Sequence, residues 1–126
     1  MTLPRLLLVE DDRPLVELLT WHFERRRIAV TATANGGEAL RLAGEDIPDA
    51  VLLDWKLEGL CGLEVCRRLR SNSLTAGLLI VMISGRGEAG SEAAAREHGA
   101  DLYVAKPFSP AALVERVHSL LPRSLA

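Results

Sequence analysis

The chain has 126 residues, of which 48% are hydrophobic and 25% are charged, a composition typical of one globular domain with a single core. Fifteen lysines and arginines against seventeen acids give a net charge of -2, which argues against direct nucleic-acid binding, since such binding needs a concentrated basic surface. No apolar stretch approaches the roughly 20 residues that span a bilayer, and the two cysteines and three histidines are too scattered for a zinc site.

Strand-like and helix-like segments alternate along the chain. The first is a continuous apolar run, RLLLVE at 5–10, which is typical of a strand covered on both faces. The segment 14–27 has leucines at helical spacing and a proline near its first turn, so it predicts a helix. A more polar strand at 28–34 and a short helix at 37–46 follow, separated by the chain-breaking sequence NGG.

The second half of the chain continues this alternation. The predicted strands are 50–54, 77–84 and 102–105, and the predicted helices are 62–72, 87–100 and 109–121. The run 77–84 is the most apolar in the chain and belongs in the interior of the sheet. Ser109 is a candidate N-cap for the last helix, with Pro110 at its first helical position.

Five strands, each followed by a helix, predict an α/β fold in a single domain. The strands of such a doubly wound (βα)5 fold are parallel, the crossovers are right-handed, and helices cover both faces of the sheet. Open parallel sheets bind ligands outside the carboxyl ends of their strands. The side chains at these ends are therefore the candidate functional residues.

Polar side chains lie at the carboxyl ends of four of the five predicted strands, either as their last residues or directly after them. They are Glu10, Asp11 and Asp12 where the first strand ends, Asp54 at the end of the third, Ser84 at the end of the fourth, and Lys106 after the fifth. Carboxylates gathered at one edge repel each other, and Mg²⁺ relieves this repulsion because it binds carboxylates together with water and phosphate oxygens. A hydroxyl and an ammonium suit further phosphate oxygens. The set predicts a magnesium site beside a pocket for one phosphoryl group on Asp54.

Each of these residues also has a purely structural interpretation. Asp54 could be a strand-to-loop cap, and the three acids could lie beside the dipole of the following helix. Ser84 could be a turn residue, and Lys106 could be a solvated lysine. The placement of all of them at strand ends is what favours the functional interpretation.

Four stretches, LLLVEDDRPL, DAVLLDWKLEGLCG, VMISGRGE and GADLYVAKPFSP, resemble in this order the receiver (CheY-like) domain of two-component response regulators. The resemblance covers essentially the whole chain, 1–126, as one receiver domain. It implies a flavodoxin/CheY-like sheet with strand order 2-1-3-4-5. It also implies a cytoplasmic phosphorelay signalling protein that is not an enzyme, apart from its own phosphorylation and dephosphorylation.

The resemblance implies a role for each site residue. Asp54 would be the phosphoacceptor, phosphorylated by the phosphohistidine of a sensor histidine kinase or a phosphotransfer protein. Asp54, Asp11 and the backbone carbonyl of Lys56 would bind Mg²⁺ directly, and Glu10 would act largely through water. Lys106 would neutralise charge on the phosphoryl group, and the Lys106–Pro107 peptide bond would be cis.

The resemblance further implies a switch. Ser84 would approach the phosphate and Tyr103 would turn inward, which would change the surface of the fourth helix, fifth strand and fifth helix. This surface would control an output domain or partner, and it could also form a homodimer. Asp101 and Arg116 match charged positions of the winged-helix subgroup that dimerises there, whereas Leu102 replaces a second acid.

Three departures from the family pattern surround the site. Glu58 replaces the usual proline four residues after the phosphoacceptor, so the loop is either looser or shaped by nearby glycines. Gly85 replaces the commoner alanine and leaves the phosphate more accessible. Lys56 and Arg86 flank the site with positive charge, and we hypothesise that they lengthen the lifetime of the phosphoryl group.

Other functions remain as alternatives. A haloacid-dehalogenase-type magnesium phosphatase would need a second Asp two residues after its nucleophile, where this chain has Lys56. A flavodoxin-like cofactor binder would need a phosphate loop in place of the acids after the first strand. The receiver could also be a stand-alone or hybrid-kinase phosphorelay intermediate instead of the regulator of an output domain.

Overall fold

The computed structural model describes residues 2–85 and 91–121 of the chain. The strands in these ranges are β1 (Arg5–Val9), β2 (Ala29–Thr33), β3 (Ala50–Asp54), β4 (Leu79–Ser84) and β5 (Leu102–Ala105). The helices are α1 (Arg13–Arg25), α2 (Gly36–Glu45), α3 (Gly62–Ser71), α4 (Ser91–Glu97) and α5 (Pro110–Leu120). The alternation predicted from the sequence is confirmed.

The five strands form one parallel sheet in the order β2-β1-β3-β4-β5, which confirms the predicted fold. The strand order reverses between β1 and β3, and this is where an open sheet of this kind leaves a crevice at its carboxyl edge. Every residue of β3 is buried, which explains its unbroken apolar run before Asp54.

Successive residues of each inner strand point to opposite faces of the sheet, so the core has two layers. Leu6 and Leu8 of β1 face the layer that α1 and α5 cover, together with Phe23 and Val117. The opposite layer is covered by α2, α3 and α4. It contains Leu7, Val9, Ala39, Val65, Met82 and Ala95, among others.

Two helices end two or more residues earlier than their sequence patterns predict. Helix α1 ends at Arg25 because Arg27 adopts a left-handed backbone with φ of 61°, and the Ile28 N–H closes the end by donating to the Phe23 carbonyl at 3.1 Å. Helix α4 ends at Glu97 in the same way, with Gly99 at φ 108°. Glycine adopts this conformation readily, whereas arginine rarely does.

Helix α5 begins as predicted. The Ser109 hydroxyl accepts a hydrogen bond from the Ala112 N–H at 3.2 Å, and Pro110 occupies the first helical position. Among the helices in the described ranges, none is long and apolar enough to cross a bilayer.

Arg70, at the end of α3, connects three segments at the amino edge of the sheet. Its guanidinium donates to the carbonyls of Gly99, Ala76 and Leu78 at 2.8, 2.8 and 2.6 Å, and it pairs with Asp101 at 2.6 Å. These contacts fix the entrances to β4 and β5 relative to α3. The side chain is only 22% exposed, so water does little to weaken them.

Candidate functional site

Three carboxylates meet at the carboxyl ends of β1 and β3. Carboxylate oxygens of Glu10, Asp11 and Asp54 all lie within 4.8 Å of one another. Glu10 is 2% exposed and Asp54 is 5% exposed, whereas Asp11 is open to solvent. Such a cluster has the donor atoms and the partial solvent access that Mg²⁺ requires, since this ion binds a few carboxylates and retains several waters. The residues therefore fit the predicted metal.

Lys106 brings a positive charge into the same cluster. Its Nζ donates to Asp54 Oδ2 at 2.7 Å and to Glu10 Oε1 at 3.2 Å. Burial alone would lower the pKa of Lys106, but the hydrogen bonds and charges of the two carboxylates outweigh burial and raise it above its ordinary value. The side chain therefore remains a cation beside Asp54.

The buried carboxylate of Glu10 fixes the turn that follows β1. Its Oε2 accepts hydrogen bonds from the N–H groups of Asp11 and Asp12 at 3.0 and 3.1 Å. Burial, with a further contribution from the neighbouring Asp54 carboxyl, raises the pKa of Glu10 to about 7. Two carboxylates this close oppose each other's ionisation, and a bound cation would remove that opposition.

Asp12 has a different role from the two acids before it. Its Oδ1 accepts a hydrogen bond from the Leu15 N–H at 3.3 Å and caps the amino end of α1. The structural interpretation that the sequence allowed for the three acids is thus correct for Asp12. The acidic cluster that could hold a metal ion consists of the first two of them, Glu10 and Asp11, together with Asp54.

The loop after Asp54 is ordered by contacts to its neighbours. The Lys56 N–H donates to Asp54 Oδ1 at 3.0 Å, and the Gly62 N–H donates to the Trp55 carbonyl at 2.9 Å. A Cβ at Gly62 would lie 2.3 Å from the carbonyl oxygen of Asp54, so only glycine permits this approach. Gly59 adopts φ 76°. Of the two alternatives left by the missing proline, the structure favours a loop that is shaped by its glycines.

Residues 6–118 match the family model described as the response regulator receiver domain. The chain belongs to this family. The match agrees with the sheet order and with the acids and lysine at the strand ends.

Several relatives of this receiver are transcriptional regulators. The Phosphate regulon transcriptional regulatory protein PhoB of Rhizobium meliloti is 40% identical over 122 residues, which are 97% of this chain and 54% of that protein. The Transcriptional regulatory protein ResD of Bacillus subtilis is 37% identical over 120 residues, 95% of this chain and 49% of that protein. The chain spans about half the length of these curated relatives.

Solved structures agree with the fold of this receiver. A putative response regulator from Chloroflexus aurantiacus has a TM-score of 0.87 at 36% identity, with 94% of this chain and 97% of that chain covered. A CheY-like receiver domain protein from Methanospirillum hungatei has a TM-score of 0.86 at 26% identity, with 94% and 93% covered.

The two predicted switch residues lie on adjacent strands of the receiver. Ser84 is fully buried at the end of β4, and its hydroxyl lies 3.4 Å from the carbonyl oxygen of Gly85. The Ser84 carbonyl accepts a hydrogen bond from the Lys106 N–H at 2.7 Å, which links the serine to the site. Tyr103 is half-buried on β5 against the core layer under α2, α3 and α4. The Lys106–Pro107 bond is cis.

The charged residues of the predicted dimer surface are in different environments. Asp101 is paired with Arg70 of its own chain, and its Oδ2 also accepts a hydrogen bond from the Ile80 N–H at 2.8 Å. Arg116 is exposed on α5. Arg86, which the sequence placed beside the phosphate, lies outside the described residues.

Two residues that were not predicted from the sequence support the site. Thr33 is buried at the end of β2, and its carbonyl accepts a hydrogen bond from the Glu10 N–H at 3.0 Å. Asn35 caps α2 by accepting from the Glu38 N–H at 2.9 Å, and it forms an isolated parallel β-bridge with Glu58. The Asn-Gly sequence after β2 could have signalled an N-cap, but it was interpreted only as a chain break.

Proposed function

We propose that this receiver accepts one phosphoryl group on Asp54 from a phosphohistidine of a sensor histidine kinase or phosphotransfer protein, in a magnesium-dependent reaction. The observation that carries this proposal is the contact of Asp54 with Lys106 at 2.7 Å inside an acidic cluster. A nucleophilic carboxylate, a lysine and a set of metal ligands are together at one strand end. These are the groups that phosphoryl transfer to an acid requires.

The residues of the chain have distinct tasks in this transfer. A carboxylate oxygen of Asp54 attacks the phosphorus, and the new P–O bond replaces the P–N bond of the phosphohistidine. The bonding pair of the P–N bond stays with the imidazole nitrogen, which takes up a proton. The Lys106 ammonium moves from neutralising carboxylates to neutralising phosphoryl oxygens, and its raised pKa keeps it charged for this.

Magnesium would be held by the carboxylates of Asp11 and Asp54 and by the backbone carbonyl of Lys56, with Glu10 acting largely through water. When bound, it supplies charge neutralisation for the phosphoryl oxygens. The hydrogen bonds that Glu10 Oε2 accepts from the N–H groups of Asp11 and Asp12 hold Asp11 at the metal side of the cluster. The hydrogen bond from the Lys56 N–H to Asp54 holds the start of the loop next to the nucleophile.

The output of the phosphorylated receiver is a change on the surface formed by α4, β5 and α5. Ser84 moves toward the phosphate, and Tyr103 turns from its half-buried position into the space that the serine leaves. The surface then controls an output domain or a partner, and a homodimer could also form through it. The names of the relatives, which are transcriptional regulators about twice the length of this chain, support control of transcription.

A labelling experiment tests the chemistry. We expect acetyl phosphate to phosphorylate the protein in the presence of Mg²⁺ but not with EDTA, and the product to be cleaved by hydroxylamine, as acyl phosphates are. A hydroxylamine-resistant phosphate, or equal labelling with EDTA, would contradict phosphorylation of a carboxylate at this metal site.

A further inference from the structure

The loop after the phosphoacceptor is joined to the loop between β2 and α2. Asn35 and Glu58 form a parallel β-bridge although both lie outside the main strands. Because β1 lies between β2 and β3 in the sheet, this bridge passes over the end of β1, where the acidic cluster begins. The residue that replaces the family's usual proline is therefore the residue that makes the bridge.

The approach of the two loops depends on Gly36. A Cβ at this position would lie 2.2 Å from the carbonyl oxygen of Leu60 and 2.9 Å from Cγ2 of Val65. The obstructing oxygen belongs to the backbone, so it cannot move without moving the loop. Gly36 is buried, and it begins α2 directly after the Asn35 cap.

The same segment also contacts the acidic side of the site. The Glu10 N–H donates to the Thr33 carbonyl at 3.0 Å, and the Thr33 hydroxyl accepts from the Asn35 N–H at 3.3 Å. Residues 33–36 thus touch the turn that presents the two acids and also the loop that presents the Lys56 carbonyl.

We propose that Asn35 and Gly36 are positioning residues for the metal site, acting through the Glu58 bridge to hold the Lys56 loop against the acidic cluster. This inference rests on the proposed function, because it concerns the same metal ligands. The bridge stabilises a loop that lacks the family's usual proline. Groups that orient metal ligands in this way typically affect metal affinity about 10–100-fold when they are removed.

The test measures the dissociation constant for Mg²⁺ through the fluorescence of Trp55, which directly follows the phosphoacceptor, in a Trp21→Phe background. We expect Gly36→Ala to raise this constant about 10-fold or more, since the added methyl group separates the loops. Gly44→Ala is the matched control. It makes the same change in the same helix, where a Cβ meets nothing within 4 Å, and it should leave the constant unchanged.

Two further variants separate positioning from loss of stability. Asn35→Ala adds no clash but removes the α2 cap, and it should weaken Mg²⁺ binding, whereas Asn35→Ser retains a capping oxygen and should restore it. Val117→Ala destabilises the far core layer and should bind Mg²⁺ normally. Wild-type affinity in Gly36→Ala, or an equal loss in Val117→Ala, would overturn the inference. A wild-type protein that binds no Mg²⁺ would contradict the proposed function itself.

Discussion

Lys106 Nζ lies 2.7 Å from Asp54 Oδ2 and 3.2 Å from Glu10 Oε1, so two buried carboxyl groups share one ammonium. The three residues follow or end three different strands, β1, β3 and β5, and only the folded sheet brings them together. Without a bound metal ion, the two acids are buried together and have this ammonium to offset their charge. Repulsion between their carboxylates favours the binding of a metal cation at this site.

Replacement of Lys106 should slow phosphorylation without weakening the binding of Mg²⁺. We expect Lys106→Ala to lower the rate of phosphorylation by acetyl phosphate roughly 100-fold or more, because no cation then neutralises the phosphoryl oxygens on that side. Mg²⁺ should bind at least as tightly as in the wild type, since the lysine no longer occupies the carboxylates. Arg41→Ala removes one exposed positive charge on α2 and should change neither property. Phosphorylation of Lys106→Ala at the wild-type rate would refute this role.

The raised pKa of Glu10 predicts a pH dependence of stability in the absence of metal. The pKa is 4.5 in the unfolded chain and about 7 in the folded protein, so the unfolded chain loses its proton first as the pH rises. The free energy of unfolding should therefore fall as the pH rises from 4.5 to about 7. Urea titrations without Mg²⁺ measure this fall.

Glu10→Gln should abolish that part of the pH dependence, because it cannot ionise. Mg²⁺ should reverse the fall in the wild type above pH 7, since the ion binds the deprotonated carboxylates of the folded state. Parallel pH profiles for the wild type and Glu10→Gln would show that burial does not raise this pKa.

Lys56→Asn should shorten the lifetime of the phosphoryl group several-fold. The side chain of Lys56 is exposed next to the phosphoacceptor, and we expect its charge to stabilise the phosphoryl group or to hinder the attacking water. The backbone carbonyl remains in the variant, so Mg²⁺ binding should be unchanged. The decay of phosphorylated protein after removal of acetyl phosphate measures the lifetime, and an unchanged decay rate would exclude this role for the lysine.

Arg70→Ala should lower the free energy of unfolding by about 2–3 kcal/mol, because it leaves Asp101 without its ion pair and three carbonyls without their charged donor. The control is Arg68→Ala, whose exposed side chain pairs with Glu64 and should matter far less. Urea denaturation compares the two. Equal stability of both variants would mean that Arg70 does not connect α3 to the entrances of β4 and β5.

The sequence was most informative where burial alone determines structure. Strands β3 and β5 have the predicted bounds, and β3 is an unbroken apolar run because both of its faces are covered. The residues at the strand ends followed from the parallel topology, which places all carboxyl ends at one edge. The end of α1 was wrong by two residues, because the left-handed backbone of Arg27 leaves no signal in a hydrophobic pattern.

Contacts between loops could not be predicted. The bridge from Asn35 to Glu58 depends on how two turns approach each other over the end of β1. Such a contact produces no periodic pattern in the sequence. The ion-pair partner of Asp101 could not be predicted from the sequence either. The resemblance placed this acid on a dimer surface, and the fold pairs it with Arg70 across the amino edge of the sheet. An exposed acid has many cations within reach, and only the packing of α3 selects one.

The most direct test of the account is the intact mass of the protein after incubation with acetyl phosphate and Mg²⁺, measured for the wild type and for Asp54→Asn. We predict that the wild type gains the mass of one phosphoryl group and that Asp54→Asn gains none. An unmodified wild type, or equal modification of both proteins, would contradict the assignment of Asp54 as the phosphoacceptor.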